Sequence, residues 1–260
     1  MNSLVQDNTS SEIDALWEAI RAHARGGPEP IVPESSELSE FASLYLPVAA
    51  PARTPFVLGQ LGQSLDGYIA TKTGASHYIT GPKSLVHLHR LRALVDAVVV
   101  GWRTVPADDP LLTVRHVGGE NPLRAIVDIA GRLPANARAF SREAPGALRL
   151  IGPDVPPLSG IESITVPLHD GRYRPQDIVS ALARRGYRRI LIEGGGATVS
   201  DFLEAGALTR LHIAVAPLII GEGRRGITLP GVPSLDAAMR PRSRHYRMGD
   251  EVLFDLDLAQ

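Results

Sequence analysis

The sequence predicts an α/β protein built around a mostly parallel sheet. Short apolar runs rich in valine and isoleucine, such as residues 97–101 and 190–192, alternate with segments of helical periodicity through most of the chain. One run ends in a glycine and the other is followed by an acid, which is typical of strand ends that face a ligand. Near the C-terminus, apolar and polar residues alternate instead, which predicts an antiparallel hairpin over 246–258.

Charge and cysteine content exclude several classes of protein. The 260 residues carry a net charge of −1, so no basic surplus indicates nucleic-acid binding. The chain has no cysteine, which excludes disulfides, thiolate zinc sites and a cysteine nucleophile, and no other metal site is expected. No apolar run has the length of a membrane helix, and the N-terminus lacks a signal-peptide pattern. We therefore expect a cytoplasmic protein with neither nucleic-acid nor membrane partners.

The first 55 residues are expected to form a helical extension and a linker. Ser11 and Asp14 have the spacing of a capping box, the apolar residues that follow recur on one helical face, and a glycine pair ends that helix. A second short helix is expected over 36–45, followed by a proline-rich linker over 47–55. We assign no chemistry to this extension and place the main domain at 56–260.

The remaining elements follow from the same patterns. Strands are expected at 56–61, 97–101, 124–128, 148–151, 164–166, 190–192 and 211–220, the last with a break at Pro217, and helices at 84–95 and 175–185. The lone His212 in the last strand is expected to be structural. Asp66-Gly67 and residues 73–82 form two turn-rich polar loops after the first strand. These loops predict one wall of a pocket. An equally weighted alternative is that they only connect neighbouring elements.

Residues 190–206 predict a strand, a glycine turn and a helix in immediate succession. Gly194, Gly195 and Gly196 allow a close backbone approach to a phosphate, and the positive end of the following helix favours negative charge. Glu193, at the end of the buried strand, stands where α/β folds position ligand-binding groups. The alternative is a tight strand-to-helix turn without a ligand, because three glycines are not a full dinucleotide-binding fingerprint.

Short motifs in the main domain occur in an order that is hard to produce by chance. They are SLDG at 64–67, SHYITGP at 76–82, LRA at 91–93, DAVVVG at 96–101, TVPADDPLLTVR at 104–115, EGG at 193–195 and APLIIGEG at 216–223. Together they resemble the reductase domain of bacterial riboflavin biosynthesis, the RibD C-terminal domain, over about residues 56–258. The resemblance implies a dihydrofolate-reductase-like three-layer fold with a central, mostly parallel sheet and a C-terminal antiparallel hairpin.

The resemblance also implies an activity, a cofactor and a set of site residues. The activity is NADPH-dependent reduction of 5-amino-6-(5-phosphoribosylamino)uracil to its ribitylamino form, by hydride transfer to ribose C1′. Contacts to the nicotinamide–ribose side of NADPH would come from Gly62, Tyr78, Thr104 and Asp108, and contacts to the pyrophosphate from Gly195, Gly196, Ala197, Thr198 and Val199. The phosphorylated pyrimidine would be bound by Ser76, Arg92, Leu112, Arg115 and Glu193. The catalytic proton would come from water, Glu193 or Asp108, and a homodimer is implied as well.

Two departures from the family pattern leave alternatives open. Tyr68 stands where the family commonly has Lys or Arg, and Trp102-Arg103 stand where it usually has small residues. They favour, as one alternative, an NADPH-dependent reductase of a related pyrimidine or pterin in a secondary pathway. A second alternative is a nucleotide-binding module without turnover. Arg92 and Arg115 favour the reductase of 5-amino-6-(5-phosphoribosylamino)uracil over both alternatives, because guanidinium groups suit a sugar phosphate by charge and geometry.

Overall fold

One sheet of nine strands lies at the centre of the part of the protein that the structure describes, and two further strands form a separate ribbon. The structure is a computed structural model and describes residues 2–76, 79–141 and 146–259. In chain order the strands are β1 (Phe56–Ser64), β2 (Tyr68–Thr71), β3 (Ala97–Gly101), β4 (Leu123–Val127), β5 (Ala147–Ile151), β6 (Glu162–Thr165), β7 (Arg189–Ile192), β8 (Arg210–Ala216), β9 (Gly223–Arg225), β10 (Arg242–Met248) and β11 (Glu251–Asp257).

The sheet is parallel except at one side. Its order is β10-β11-β8-β1-β7-β3-β4-β5-β6, and every pair from β8 to β6 is parallel. β11 pairs antiparallel with β8 and with β10, so the C-terminal hairpin completes that side. The ribbon pairs β2 with β9. The predicted α/β architecture, with a mostly parallel sheet and a C-terminal antiparallel hairpin, is confirmed.

Helices cover both faces of the sheet and make it a three-layer structure. They are α1 (Asn2–Ala24), α2 (Ser36–Ala49), α3 (Pro82–Leu94), α4 (Thr104–Asp108), α5 (Pro175–Ala183) and α6 (Gly196–Glu204). Side chains of α1, α2 and α3 pack into one hydrophobic cluster on the sheet, and side chains of α5 and α6 pack into a second. Because both faces are covered, residues 97–100 of β3 and 190–192 of β7 are apolar and buried. None of the helices described has the length and apolar character needed to cross a membrane.

The N-terminal helices belong to the hydrophobic core. Trp17 and Ile20 of α1 and Tyr45 and Val48 of α2 are buried in the same cluster as the sheet residues. The guanidinium of Arg90 on α3 lies within 5.6 Å of the Trp17 and Tyr45 ring centroids, which adds a cation–π contact to this packing. The apolar face of the extension is therefore used within its own chain, and the division of the chain at residue 55 stays a prediction.

Several predicted boundaries are wrong. α1 begins at Asn2, so Ser11 lies inside the helix and caps nothing. α2 continues through Pro47 to Ala49, because a proline in the last turn displaces few helical hydrogen bonds. β8 ends at Ala216, directly before Pro217, so residues 218–220 are not part of the strand. The one-turn helix α4 and the β2–β9 ribbon were not predicted.

A buried chain of polar groups joins α2, α3 and the C-terminal hairpin. The Tyr45 hydroxyl lies 2.9 Å from Nδ1 of His87, Nε2 of His87 lies 3.1 Å from Nδ1 of His212, and Nε2 of His212 lies 3.2 Å from a carboxylate oxygen of Asp255. Arg210 also binds that carboxylate. Nε2 of His212 faces the Asp255 carboxylate without an aligned hydrogen bond, and the negative charge there favours a proton on that nitrogen. Nε2 of His87 then donates to Nδ1 of His212, and Tyr45 donates to His87. Burial lowers the pKa of both histidines, that of His87 well below its usual range, so both rings are neutral in the folded protein.

These histidines make the free energy of unfolding depend on pH. In the unfolded chain His87, His89 and His212 take up a proton near pH 6.5, while burial keeps them neutral in the folded chain and lowers the pKa of His89 to about 3. Stability is therefore complete above pH 6.5 and is lost as the pH falls below it, by up to about 1.4 kcal/mol per pH unit for each group. We expect urea unfolding to show clearly lower stability at about pH 5.5 than at about pH 7.5.

The variant His87→Gln should reduce this pH dependence, whereas the exposed control His245→Gln should retain it. Equal stability at the two pH values, or an unchanged pH dependence in His87→Gln, would contradict the assignment of neutral buried imidazoles.

Candidate functional site

The ends of three adjacent strands bring the candidate residues together. β1, β7 and β3 are parallel neighbours, so their carboxyl ends lie at the same edge of the sheet. Glu193 and the glycine turn follow β7, and the segment that contains Thr104 follows β3. Gly62 lies near the end of β1, where Thr80 packs directly against it. The glycine turn after β7 and the segment after β3 therefore lie at one edge of the sheet, next to the end of β1.

The glycine turn leads directly into α6. Gly194 has φ +89°, a backbone conformation that L-residues other than glycine rarely adopt. The N–H of Gly195 donates to the Thr104 hydroxyl at 3.0 Å, which ties the turn to the segment after β3. No side chain caps this nine-residue helix. The N–H of Thr198 donates to the Gly195 carbonyl at 3.1 Å, and the N–H groups of Gly196 and Ala197 have no hydrogen-bond partner within the described residues. Thr198 and Val199 are buried, while Ala197 is exposed at the helix start.

The central contact of the site is a buried ion pair between Arg92 and Glu193. Arg92, on α3, donates from Nε to both carboxylate oxygens at 3.2 Å and from Nη2 to one of them at 2.8 Å. Its remaining Nη1 donates to the carbonyl of Thr113 at 3.0 Å. The two side chains are only 8% and 3% exposed. Both residues were predicted to bind substrate, and in this structure each is the other's partner.

Arg115 is the accessible cation beside this pair. Its guanidinium is exposed and donates to the Thr113 hydroxyl at 3.0 Å, and its backbone N–H donates to Nδ1 of His89. Partial burial and repulsion from Arg92 and Arg138 lower the pKa of Arg115, and attraction to Glu193 opposes this. The surplus of positive charge around Arg115 makes this part of the site a suitable environment for an anion.

The other candidate residues differ in how far their side chains are accessible to a ligand. The Ser76 hydroxyl donates to the Asp108 carboxylate at 3.2 Å; Asp108 is exposed and Ser76 is half-buried. Leu112 has φ +58° and its side chain is buried in the core, so a substrate could contact only its backbone. Tyr78 lies outside the described residues.

Two features of the site were not apparent from the sequence. Asp66 accepts hydrogen bonds from the Ser64 hydroxyl and from the backbone N–H groups of Ile220 and Gly221, which holds the β1–β2 turn against the segment after β8. These bonds lower the pKa of Asp66 to about 2. The turn motif at 66–67 was a signal for local structure, but it carried no information on these distant partners.

The second feature surrounds Trp102. The guanidinium carbons of Arg103 and Arg132 lie 5.0 Å and 4.8 Å from the Trp102 ring centroid. One arginine from the segment after β3 and one from the segment after β4 therefore contact the same aromatic ring.

Breaking the Arg92–Glu193 pair should destabilise the fold. We expect Arg92→Met or Glu193→Leu alone to lower the free energy of unfolding by about 3–5 kcal/mol, because each leaves its partner buried without compensation. The double variant Arg92→Met, Glu193→Leu should lose much less than the sum. Urea unfolding of the four proteins measures this.

The exposed pair Lys72–Glu222 offers a matched control, and Lys72→Met should cost no more than about 1 kcal/mol. Two results would contradict a coupling between Arg92 and Glu193. One is a loss of unfolding free energy in the double variant equal to the sum of the single losses, and the other is single losses as small as that of the control.

Comparison with known proteins identifies the family. Residues 55–254 match the model of the RibD C-terminal domain. The chain is 33% identical over 212 residues to a 2,5-diamino-6-ribosylamino-4(3H)-pyrimidinone 5′-phosphate reductase of Methanothermobacter thermautotrophicus, covering 77% of this chain and 97% of that protein. It is 30% identical to the riboflavin biosynthesis protein RibD of Aquifex aeolicus, over 85% of this chain and 61% of that protein. The chain thus spans less than two thirds of this RibD, and its relatives include archaeal as well as bacterial proteins.

Solved structures agree on the fold. A Thermotoga maritima diaminohydroxyphosphoribosylaminopyrimidine deaminase/5-amino-6-(5-phosphoribosylamino)uracil reductase superposes with a TM-score of 0.67 at 25% identity, covering 85% of this chain and 61% of that chain. The Saccharomyces cerevisiae riboflavin biosynthesis reductase Rib7 superposes with a TM-score of 0.69 at 20% identity, covering 86% and 100%. With the family match over most of its length, the chain belongs to the RibD C-terminal domain family.

Proposed function

We propose that this protein is an NADPH-dependent reductase of 5-amino-6-(5-phosphoribosylamino)uracil, acting in riboflavin biosynthesis. The observation that carries the proposal is the exposed Arg115, which lies beside the buried Arg92–Glu193 pair, at the edge of the sheet where the glycine turn opens. One edge thus offers a place for a dinucleotide and a separate cation for a sugar phosphate. Family membership and the activities for which the relatives are named support the same conclusion.

The residues at α6 fit the diphosphate of a dinucleotide cofactor. The uncapped helix start provides N–H donors, and the carbonyls of Arg225 and Gly226 approach the position of a Cβ on Gly196 to 2.5 Å and 2.3 Å, so only glycine fits there. When bound, the reduced nicotinamide would supply the hydride that protein side chains cannot. The protein's part is to hold the two ligands in line and to exclude water between them.

The contacts of Glu193 indicate whether it binds the substrate or supplies the catalytic proton. Its carboxylate accepts three hydrogen bonds from Arg92, which favours a role as an acceptor toward the amino groups of the pyrimidine rather than as a proton donor. Hydride addition at ribose C1′ of the open-chain imine requires a proton at the adjacent nitrogen. The accessible Asp108 or a water molecule is better placed to provide it, because Asp108 is exposed next to Ser76.

An alternative substrate is the 2,5-diamino pyrimidinone named for the archaeal relative. Both substrates carry the same phosphoribosyl group, so Arg115 would serve either one. A related pyrimidine or pterin, or binding without turnover, stays as a further alternative. A cytoplasmic homodimer is also part of the proposal, and the exposed apolar side chains Val232, Leu235 and Met239 offer a surface for that contact.

Turnover tests the function directly. The purified protein is given NADPH or NADH with each of the two phosphorylated pyrimidines, and loss of the reduced-nicotinamide absorbance is followed. We expect loss with NADPH and the uracil compound. Turnover of the 2,5-diamino compound alone would transfer the assignment to that substrate. Absence of turnover with every pair would contradict the proposal.

The Arg115→Ala variant tests the phosphate contact. We expect it to raise the KM for the phosphorylated pyrimidine about 10- to 100-fold with a smaller change in kcat, the effect of losing a hydrogen bond to a charged group. Arg115→Lys should recover part of the loss, because it keeps the charge without the planar geometry. The control Arg244→Ala, on the edge strand β10, should behave as wild type. An unchanged KM in Arg115→Ala would place the phosphate elsewhere.

A further inference from the structure

The β2–β9 ribbon holds an arginine against an aromatic ring. Tyr68 on β2 pairs with Arg225 on β9, and the guanidinium carbon of Arg225 lies 4.9 Å from the Tyr68 ring centroid. The Gly226 N–H donates to the Gly67 carbonyl at 3.0 Å, which fixes β9 to the β1–β2 turn. A cation–π contact at this distance orients the guanidinium and leaves its N–H edges free to bind oxygen atoms.

The same ribbon lies against the start of α6. The carbonyls of Arg225 and Gly226 occupy the space where a Cβ on Gly196 would stand. The backbone of Arg225 is therefore in van der Waals contact with the first residue of the helix whose N–H groups would receive the diphosphate.

Arg225 has no carboxylate partner within the described residues. Of the two acids nearest to it in the ribbon and its turns, Asp66 is occupied by the Ser64 hydroxyl and two backbone N–H groups, and Glu222 pairs with Lys72 at 3.0 Å. The side chain of Arg225 is exposed. The ribbon therefore carries a positioned positive charge that nothing in the described chain neutralises.

Helix α6 lacks a positive side chain of its own. Its nine residues include neither Lys nor Arg, so the helix can offer a diphosphate N–H groups but no full charge. We propose that Arg225, held against Tyr68, binds the diphosphate of the dinucleotide cofactor at the start of α6. This assignment rests on the proposed function, and it gives Tyr68, which departs from the family pattern, a role in orienting that arginine.

Binding of both nicotinamide nucleotides to single variants tests the assignment. NADPH and NADH are titrated separately into wild type, Arg225→Ala, Arg225→Lys and Tyr68→Leu, with fluorescence as the readout. Because the diphosphate is common to both nucleotides, Arg225→Ala should raise both Kd values by a similar factor of about 10 or more. Arg225→Lys should recover part of the affinity, and Tyr68→Leu should cause a smaller rise of about 2- to 5-fold. The Kd for the phosphorylated pyrimidine should not change.

The neighbouring Arg224 is a matched control. It lies on the same strand, but its guanidinium lies near Gly74, so Arg224→Ala should bind both nucleotides as wild type does. Three results would overturn the assignment: unchanged Kd values in Arg225→Ala, an equal loss in Arg224→Ala, or a loss confined to the pyrimidine. If the wild-type protein binds neither nucleotide, the proposed function is wrong as well. If the wild type binds both and only the Arg225 variants behave unexpectedly, the assignment of Arg225 alone is wrong.

Discussion

The site depends on one buried charge and its compensation. Glu193 follows directly after β7 and is almost fully buried, so its carboxylate needs a cation with good hydrogen-bond geometry in the folded protein. Arg92 meets that need and also reaches the carbonyl of Thr113. A single guanidinium thereby fixes the end of β7, the helix α3 and the segment that carries Arg115. Without this contact, the end of β7, α3 and the segment that carries Arg115 would not be held together at the site.

The pairing also determines which charges are available to ligands. Because Arg92 and Glu193 neutralise each other inside the protein, the cations that can receive an anion are those left at the surface. Arg115 lies beside the pair, and Arg225 lies beside the start of α6. Both are exposed, since an uncompensated charge in the core would be costly. In the proposed function these two exposed cations would receive two different anions, the phosphate of the substrate at Arg115 and the diphosphate of the cofactor at Arg225.

The sequence was informative where the determining forces are local. The apolar runs of β3 and β7, the glycine turn before α6 and the C-terminal hairpin were all predicted, because hydrophobic periodicity and turn preferences depend on residues that are close in the sequence. The partners of polar side chains were not predicted. Arg92 and Glu193 were both assigned to the substrate, and His212 was considered alone, although the fold places it between His87 and Asp255. Such pairings join residues far apart in the sequence, and they are determined by packing of the whole chain.

The most direct test of the central claim is a crystal structure of the protein with NADP⁺ and the phosphorylated pyrimidine bound. If the buried pair positions the site and leaves the phosphate to Arg115, Arg92 will keep its hydrogen bonds to Glu193 and to the Thr113 carbonyl. The substrate phosphate will then lie within hydrogen-bond distance of the Arg115 guanidinium. A structure in which Arg92 leaves Glu193 and binds the phosphate itself would contradict this division of roles.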